Sequence, residues 1–532
     1  MTGVLEAITE TTADGRHRPA AIFGKLLIFF MLATSLWSIA TPLMAYPDEP
    51  AHTIKAVAVV RGQVTVEEGT SFGHGVHVRV PSYIANLVSQ SCVAFKRDIT
   101  ADCAPPIPSS DNFEAIGVTS AGSYNPLYYW IVGVPTLVMS GAPAIYAMRI
   151  VSALLSAVFY AAAFTALLQL RRPKWPLITA SIAVTPMALF LASGINPNSL
   201  EIAATVAAFC SLLPILESSR SLGRVKPAIA TVGIATAVLA NTRSVSLVWL
   251  LCAILAACVL FRWRDFAALF TNRLVRITIG VGTLGVVAGL GWMVVSMRGP
   301  SASGTAPELI ANATNNVAPY QAFVTMIDRT WDYLVQYIGV MGWLDTSLPQ
   351  IVIAFWTMLI LVAILMPLTV RPRRQVWGYV AILLSVSIVP AIIQAVLIRS
   401  AGFIWQGRYT MPLFIVLLIS AGMLWRGHAL RPTARNQTLG RLLIISGLVA
   451  HVIAFAYVLR RYVAGLTDIS TWQTMLSNPS WQPPLGWIAL TVIYTIVIFW
   501  GARALYAVLF PGTSLVPFGL TKKRQKSAQP SM

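Results

Sequence analysis

Charge is scarce in this chain. Lys, Arg, Asp and Glu make up 11% of its 532 residues against 56% hydrophobic, and no polar stretch is long enough to fold apart as a soluble domain. Acids are scarcer still, 19 against 38 basic residues, for a formal net charge of +19. That excess does not signal nucleic acid, because the basic residues cluster in short gaps between apolar blocks, the positions that set membrane orientation. Internal repeats and ionisable residues near mid-membrane, both expected of a transporter, are also lacking. Cysteines number only five. Cys210, Cys252 and Cys258 lie in apolar helices, where a thiol behaves as a small hydrophobe. Cys92 and Cys103 share one polar loop, either as a disulfide in an oxidising compartment or as two free thiols.

What is abundant is apolar blocks of roughly 17 to 25 residues, each long enough to cross a bilayer as a helix. Alternating sides along these blocks puts Lys and Arg largely on one face, which predicts an all-α integral membrane protein of about twelve spans with both termini cytoplasmic. The expected organisation is a cytoplasmic tail over 1–24, a transmembrane domain over 25–510 and a basic cytoplasmic tail over 511–532. The first helix, about Lys25 to Pro42, delivers Asp48 and Glu49 outside, and the first external loop covers 46–142. A third span leads from Arg171-Arg172-Pro173-Lys174 to Gly194, and a second large external loop covers 298–348. Acids contribute little to orientation. Yet Asp48, Glu49, Glu67, Glu68, Asp98, Asp102, Asp111, Glu114, Glu308, Asp328, Asp332, Asp345 and Asp468 all fall in external segments. Pro42-Leu43-Met44-Ala45 weakly resembles a signal cleavage site, but the apolar core before it reads better as a retained helix. Pro126 to Ser140 is too short and too punctuated by Pro and Gly for a span, and reads as an interfacial or re-entrant helix.

Tyr46-Pro47-Asp48-Glu49-Pro50-Ala51-His52 sets two adjacent carboxylates at the membrane surface, where such groups are costly and default to a functional reading. A carboxylate there can take a proton from an attacking hydroxyl. A polyprenyl phosphate sugar is a suitable electrophile, tethered in the bilayer with phosphate as leaving group. Arg408, in Trp405-Gln406-Gly407-Arg408-Tyr409 at the outer start of the tenth helix, suits that phosphate because its planar fork donates paired hydrogen bonds. The other reading is an Arg snorkelling to lipid headgroups, and it applies equally to Arg149 and Arg243 near outer helix ends. Tyr124-Asn125-Pro126-Leu127-Tyr128-Tyr129 either lines a sugar site or anchors in the interface. Gly342-Trp343-Leu344-Asp345 offers stacking and hydrogen bonds to a sugar, with Asp345 otherwise a helix cap. Asn198 with Glu201 fits a capping box. Gly280-Val281-Gly282-Thr283-Leu284-Gly285 matches a dinucleotide pattern but sits inside an apolar span, so helix packing explains it better. His74 and His77 lack an evident third ligand for zinc.

Together, Pro47-Asp48-Glu49-Pro50-Ala51-His52, Asn125-Pro126-Leu127-Tyr128-Tyr129, Gly342-Trp343-Leu344-Asp345 and Gln406-Gly407-Arg408-Tyr409 resemble, in the expected order, a bacterial family of multispanning membrane proteins of unknown function grouped with the GT-C glycosyltransferases. The resemblance spans most of the chain. It implies a GT-C-like bundle, a polyprenyl phosphate sugar donor, and an inverting transfer outside the membrane to a cell-envelope glycan or lipid. It also implies a catalytic acid in the first external loop, which here is Asp48 or Glu49, with Asp48 preferred as base. Arg408, Gln406, Tyr409, Arg149 and Arg243 would hold the donor phosphate, and His52, Asn125, Tyr128, Tyr129, Trp343 and Asp345 would shape the sugar and acceptor site. Metal use stays open, since some GT-C enzymes bind a divalent cation through acidic residues and others do not. A transporter or flippase of a lipid-linked glycan is the rival reading.

Overall fold

The computed structural model describes residues 19–65, 71–72, 75–109, 112–298, 317–369, 373–467 and 472–516. Both expected tails, apart from 19–24 and 511–516, lie outside the described residues, as do Glu67, Glu68, His74, Asp111, Glu308 and Asp468.

Ten of the described helices are long and apolar enough to cross a membrane: Pro19–Ala40, Gly141–Leu168, Pro197–Glu217, Leu222–Ala240, Arg273–Ser296, Gln350–Thr369, Gln375–Ala401, Gly407–Trp425, Ala434–Ala464 and Trp487–Leu509. Ser246–Leu260 and Trp263–Leu269, bent by 116°, make an eleventh if counted as one span. The chain is therefore a multi-pass α-helical membrane protein. Its outer helices turn large apolar side chains such as Leu284, Val362 and Val396 outward, a surface that belongs in hydrocarbon, where a helix satisfies its own backbone.

The count falls short of twelve because the expected third span is broken. Lys174–Ala183 stops and Pro186–Leu191 starts afresh. Pro186 has no N–H to continue the helix and biases the residue before it toward extended backbone. Thr185 adopts that backbone, and its hydroxyl caps the new helix by accepting from the Ala188 N–H at 3.3 Å. The glycine pattern of 280–285 does serve packing, since a Cβ on Gly285 would stand 2.5 Å from Ala237 Cα in the neighbouring helix.

Two helices form the centre of the bundle. Pro197–Glu217 is 94% buried over its most apolar stretch and Gly407–Trp425 89%, against 11% for the peripheral Arg273–Ser296. Both begin at the same end, beside the turn 41–48. The segment after that turn is folded against them. It contains the helix Glu49–Val60 and an antiparallel sheet of Ser71–Phe72, Gly75–Pro81 and Glu114–Thr119, with Val78 opposite Gly117. The sheet adds to an otherwise helical expectation. Its signal is the alternation in Val76-His77-Val78-Arg79-Val80, whose three valines are the buried residues. A disulfide joins Cys92 to Cys103. The run after Pro126 forms a short helix, Pro126–Gly133, and a 3-10 turn, Val134–Leu137. Gly133 lets it lie close on Glu49–Val60, since a Cβ would stand 2.4 Å from the Ala56 oxygen. Trp130, Val134, Leu137 and Val138 face outward, as an interfacial element requires.

Candidate active site

The turn 41–48 is held from below by one arginine. Arg149, wholly buried in the Gly141–Leu168 helix, donates from Nη1 to the carbonyls of Ser38 and Thr41 at 2.9 and 2.7 Å, and from Nη2 to that of Pro42 at 2.7 Å. Its Nε and Nη2 grip the Glu49 carboxylate at 2.7 and 2.6 Å. All five N–H donors of the guanidinium are thereby used. Glu49 is equally buried and also accepts from the Ile195 N–H at 3.3 Å. Tyr46 completes the floor: its hydroxyl bonds Ser193 Oγ at 2.6 Å, and its ring lies where a Cβ on Gly194 would meet it at 2.6 Å.

Asp48 stands on this floor at the N-cap position of Glu49–Val60, with φ of 61°. A left-handed backbone costs an L-residue about 1–2 kcal/mol and is tolerated best by Asn and Asp among the non-glycines. The carboxylate makes no cap bond to its own helix. It accepts instead from Arg408 Nη2, at the start of the Gly407–Trp425 helix and 360 residues away in sequence. The Arg408 side chain is 1% exposed and that of Asp48 44%. Arg408 also donates to the Tyr409 hydroxyl at 3.2 Å and the Pro47 carbonyl at 3.5 Å, while its buried Nε–H meets no partner among the described residues. A cation in the first turn of a helix opposes the helix dipole. The positive helix end and the guanidinium together make a place for an anion, which Asp48 fills from its solvent side.

A second buried ion pair backs the first. Arg243 donates to Glu201 Oε2 at 3.0 Å, and its guanidinium lies 4.7 Å from the Tyr409 ring centroid, with that of Arg408 at 5.1 Å. Glu201 also accepts from Ser246 at 2.7 Å and Asn198 at 2.9 Å. Asn198 is therefore not a helix cap; Asn196 is, accepting from the Asn198 N–H at 3.0 Å and donating to the Pro47 carbonyl at 3.1 Å. Burial pushes the Asp48 carboxyl up, but Arg408 beside it, with Arg243 behind, outweighs burial and holds it below the usual carboxylate range. His52 is pushed down to about 3, chiefly by burial, so its ring is neutral at neutral pH; Nδ1 bonds the Tyr129 hydroxyl at 2.8 Å.

Several expected site residues are used differently. Arg149 does not reach a headgroup or a phosphate, because Glu49 and three carbonyls consume it. Glu49, its partner, has no exposed oxygen to act as base. Arg243 is mostly buried and paired with Glu201 rather than with lipid. Tyr128 and Tyr129 show no surface to a sugar, and Tyr128 bonds Ser152 Oγ at 2.8 Å. Asn125 caps the Pro126–Gly133 helix and donates to Asn241 at 3.0 Å. Asp345 is not a helix cap: its Oδ2 accepts from the Phe95 N–H at 2.8 Å, tying the 340–347 hairpin to the disulfide loop. Trp343 stays partly exposed against the turn 41–48, its indole N–H on the Met44 carbonyl at 3.0 Å. Gln406 precedes Arg408 with its Oε1 buried and unpartnered among the described residues. Asn196 is a site residue that sequence reasoning missed; Tyr46 stands in the acidic motif without a role assigned from sequence, and Glu201, read as part of a capping box, instead pairs with Arg243.

Among the described residues the donor set does not suit a divalent cation. Glu49 cannot turn toward Asp48, and among the described residues no three His, Cys, Asp or Glu side chains converge.

Residues 29–418 match the family described as predicted membrane protein (DUF2142), and the chain belongs to that family. ArnT from Cupriavidus metallidurans bound to undecaprenyl phosphate aligns with 91% of this chain and 77% of its own, at 11% identity and a TM-score of 0.43. Apo ArnT from the same organism aligns with 92% and 77%, at the same identity and score. No curated protein matches.

Proposed function

We propose that the chain is a GT-C type membrane glycosyltransferase. It transfers a sugar from a polyprenyl phosphate donor to a hydroxyl of a cell-envelope glycan or lipid, with inversion. The enzyme sits in the bacterial inner membrane with both termini cytoplasmic and the Asp48 face outside. The observation that carries this reading is the pairing of a half-exposed Asp48 carboxylate with a buried Arg408 guanidinium that keeps an unused N–H.

In this mechanism the acceptor oxygen forms its bond to the anomeric carbon as the bond from that carbon to the phosphate oxygen breaks. Asp48 takes the acceptor proton, and Arg408 stabilises the departing phosphate. Donor phosphate competes with Asp48 for the guanidinium. Its arrival therefore weakens the bond that depresses the Asp48 pKa, and the base strengthens as substrate binds. Glu49 and Arg149 act as a clamp on the turn rather than as reactants. Trp343 is the residue best placed to stack on the sugar.

The test is purified protein in lipid vesicles with labelled polyprenyl phosphate sugar and envelope acceptor. Release of free carrier phosphate with label on the acceptor is the expected result. Movement of the intact donor across the bilayer without bond cleavage would overturn the assignment in favour of a flippase.

A further inference from the structure

A second charged cleft lies at the end of the bundle opposite Asp48. Arg408 lies in the first turn of the 19-residue helix Gly407–Trp425 and Arg426 follows its last residue, which at about 1.5 Å per residue separates them by about 27 Å. Around Arg426 a cleft of about 500 Å³ is lined by Arg171, Arg172, Glu217, Gln375 and His428 among others. The lining comes from four separate chain segments, so the cleft is a product of the tertiary fold.

Three guanidinium groups face one carboxylate there, and that carboxylate is already committed. Glu217 Oε1 accepts from Arg426 Nη1 at 3.0 Å, and its Oε2 from the Arg171 backbone N–H at 2.8 Å. Arg172 spends one donor on the Gly427 carbonyl at 3.2 Å. Among the described residues the Arg171 side chain has no ion pair or hydrogen bond. Burial, opposed by Glu217 but reinforced by Arg172 and Arg171, holds Arg426 below an ordinary arginine. A bound anion would relieve that repulsion. Trp175 and Trp425, with ring centroids 5.3 Å apart, adjoin the cleft, and His428 stacks on Trp425 at 4.2 Å. Paired tryptophans of this kind mark headgroup depth in a bilayer, and basic pockets between membrane helices hold anionic headgroups.

We propose that this cleft binds a phosphate-class anion, either the phosphoryl headgroup of an anionic lipid or a free phosphate. The site is separate from the transfer chemistry and does not depend on it. The full chain, purified in detergent, is titrated with phosphatidylglycerol in one arm and inorganic phosphate in the other. Binding is read by native mass spectrometry and by thermal unfolding. Wild type is expected to retain phosphatidylglycerol and to unfold at higher temperature with it. The Arg171→Gln/Arg172→Gln variant should bind at least tenfold more weakly with its lipid-free unfolding unchanged. Stabilisation by inorganic phosphate alone, lost in the same variant, would assign the site to a soluble phosphate. Should the double variant fail to fold, Arg171→Gln alone, which removes no assigned side-chain contact, should still weaken binding at least threefold. A wild type that binds neither probe, or a Gln variant that binds as well as wild type, overturns the proposal.

Discussion

Asp48 and Glu49 adjoin in sequence, yet their carboxylates end in opposite surroundings. Asp48 is 44% exposed and shares an oxygen with Arg408, whereas Glu49 is wholly buried with both oxygens on Arg149. The division separates a reactive group from a structural one within a single turn of chain, and it makes the two residues separable by mutation.

Asp48→Asn keeps the size and the acceptor oxygen that meets Arg408 but cannot take a proton. Loss of a positioned general base is expected to slow transfer by about 100- to 10,000-fold, and because the Asn oxygen still accepts from Arg408, the unfolding temperature should fall only by what the charge of the pair contributes. Turnover close to wild type, measured as carrier phosphate released, would remove Asp48 from the mechanism.

The pH dependence follows from the same pair. Arg408 holds Asp48 below the usual value near 3.8, so the ionised base is present throughout neutral and mildly acid pH and is lost only as pH falls through the depressed pKa. The stability contributed by the pair has the same sign: present above the unfolded value, lost on acidification. Arg408→Gln removes the strongest attraction and leaves burial opposed only by weaker charges such as Arg243, which raises the carboxyl relative to wild type. The acid limb of kcat/KM should therefore move to higher pH in that variant. In wild type the limb of kcat, reporting the donor complex, should lie above that of kcat/KM. Coincident limbs would mean that donor phosphate does not take Arg408 from Asp48.

The clamp makes a stability prediction. Arg149→Met strands a buried Glu49 carboxylate, and breaking a buried pair from one side costs about 3–5 kcal/mol. The protein should lose much of its thermal stability in detergent, and Glu49→Gln added to Arg149→Met should recover part of it, since no lone charge then remains. A single variant as stable as wild type would show that the five donated bonds are dispensable.

How much of this was legible depends on the range of each contact. Asp48 and Arg408 stand out because each is a polar residue at the end of an apolar block. Their surroundings did not stand out. From sequence Arg149 reads as lying near a helix end like any snorkelling arginine, and its partner lies 100 residues earlier. Glu201 follows Asn198 at capping-box spacing, while the arginine it neutralises is 42 residues away. Local pattern favoured a lipid headgroup for Arg149 and a capping role for Asn198 with Glu201, whereas tertiary packing supplied Glu49 and Arg243 as ion-pair partners. The broken third span was readable in principle from Pro186, because proline ends the helix that hydropathy alone continues.

The disulfide loop offers a last test, because the disulfide and a buried arginine hold it alongside the Asp345 bond to the Phe95 N–H and the Leu466 bond to the Arg97 carbonyl. Cys92–Cys103 closes a loop with a sequence separation of 11, which the chain-entropy model values at about 3 kcal/mol. Arg461, wholly buried, independently donates to the carbonyls of Val93 and Lys96 at 2.7 and 2.9 Å from Nη2 and to that of Ile99 at 2.7 Å from Nη1. These bonds tie the loop to the long Ala434–Ala464 helix, so reduction should loosen the loop without unfolding the bundle. Trypsin cleavage at the exposed Lys96-Arg97 is expected to accelerate on reduction by up to about 100-fold if the full 3 kcal/mol is expressed locally, and the midpoint of global unfolding should move little. In Arg461→Gln the same reduction leaves only the Asp345–Phe95 and Leu466–Arg97 bonds on the loop, so that the two perturbations together should exceed their sum. A cleavage rate indifferent to reductant would show that the hydrogen bonds of Arg461, Asp345 and Leu466 secure the loop without the disulfide.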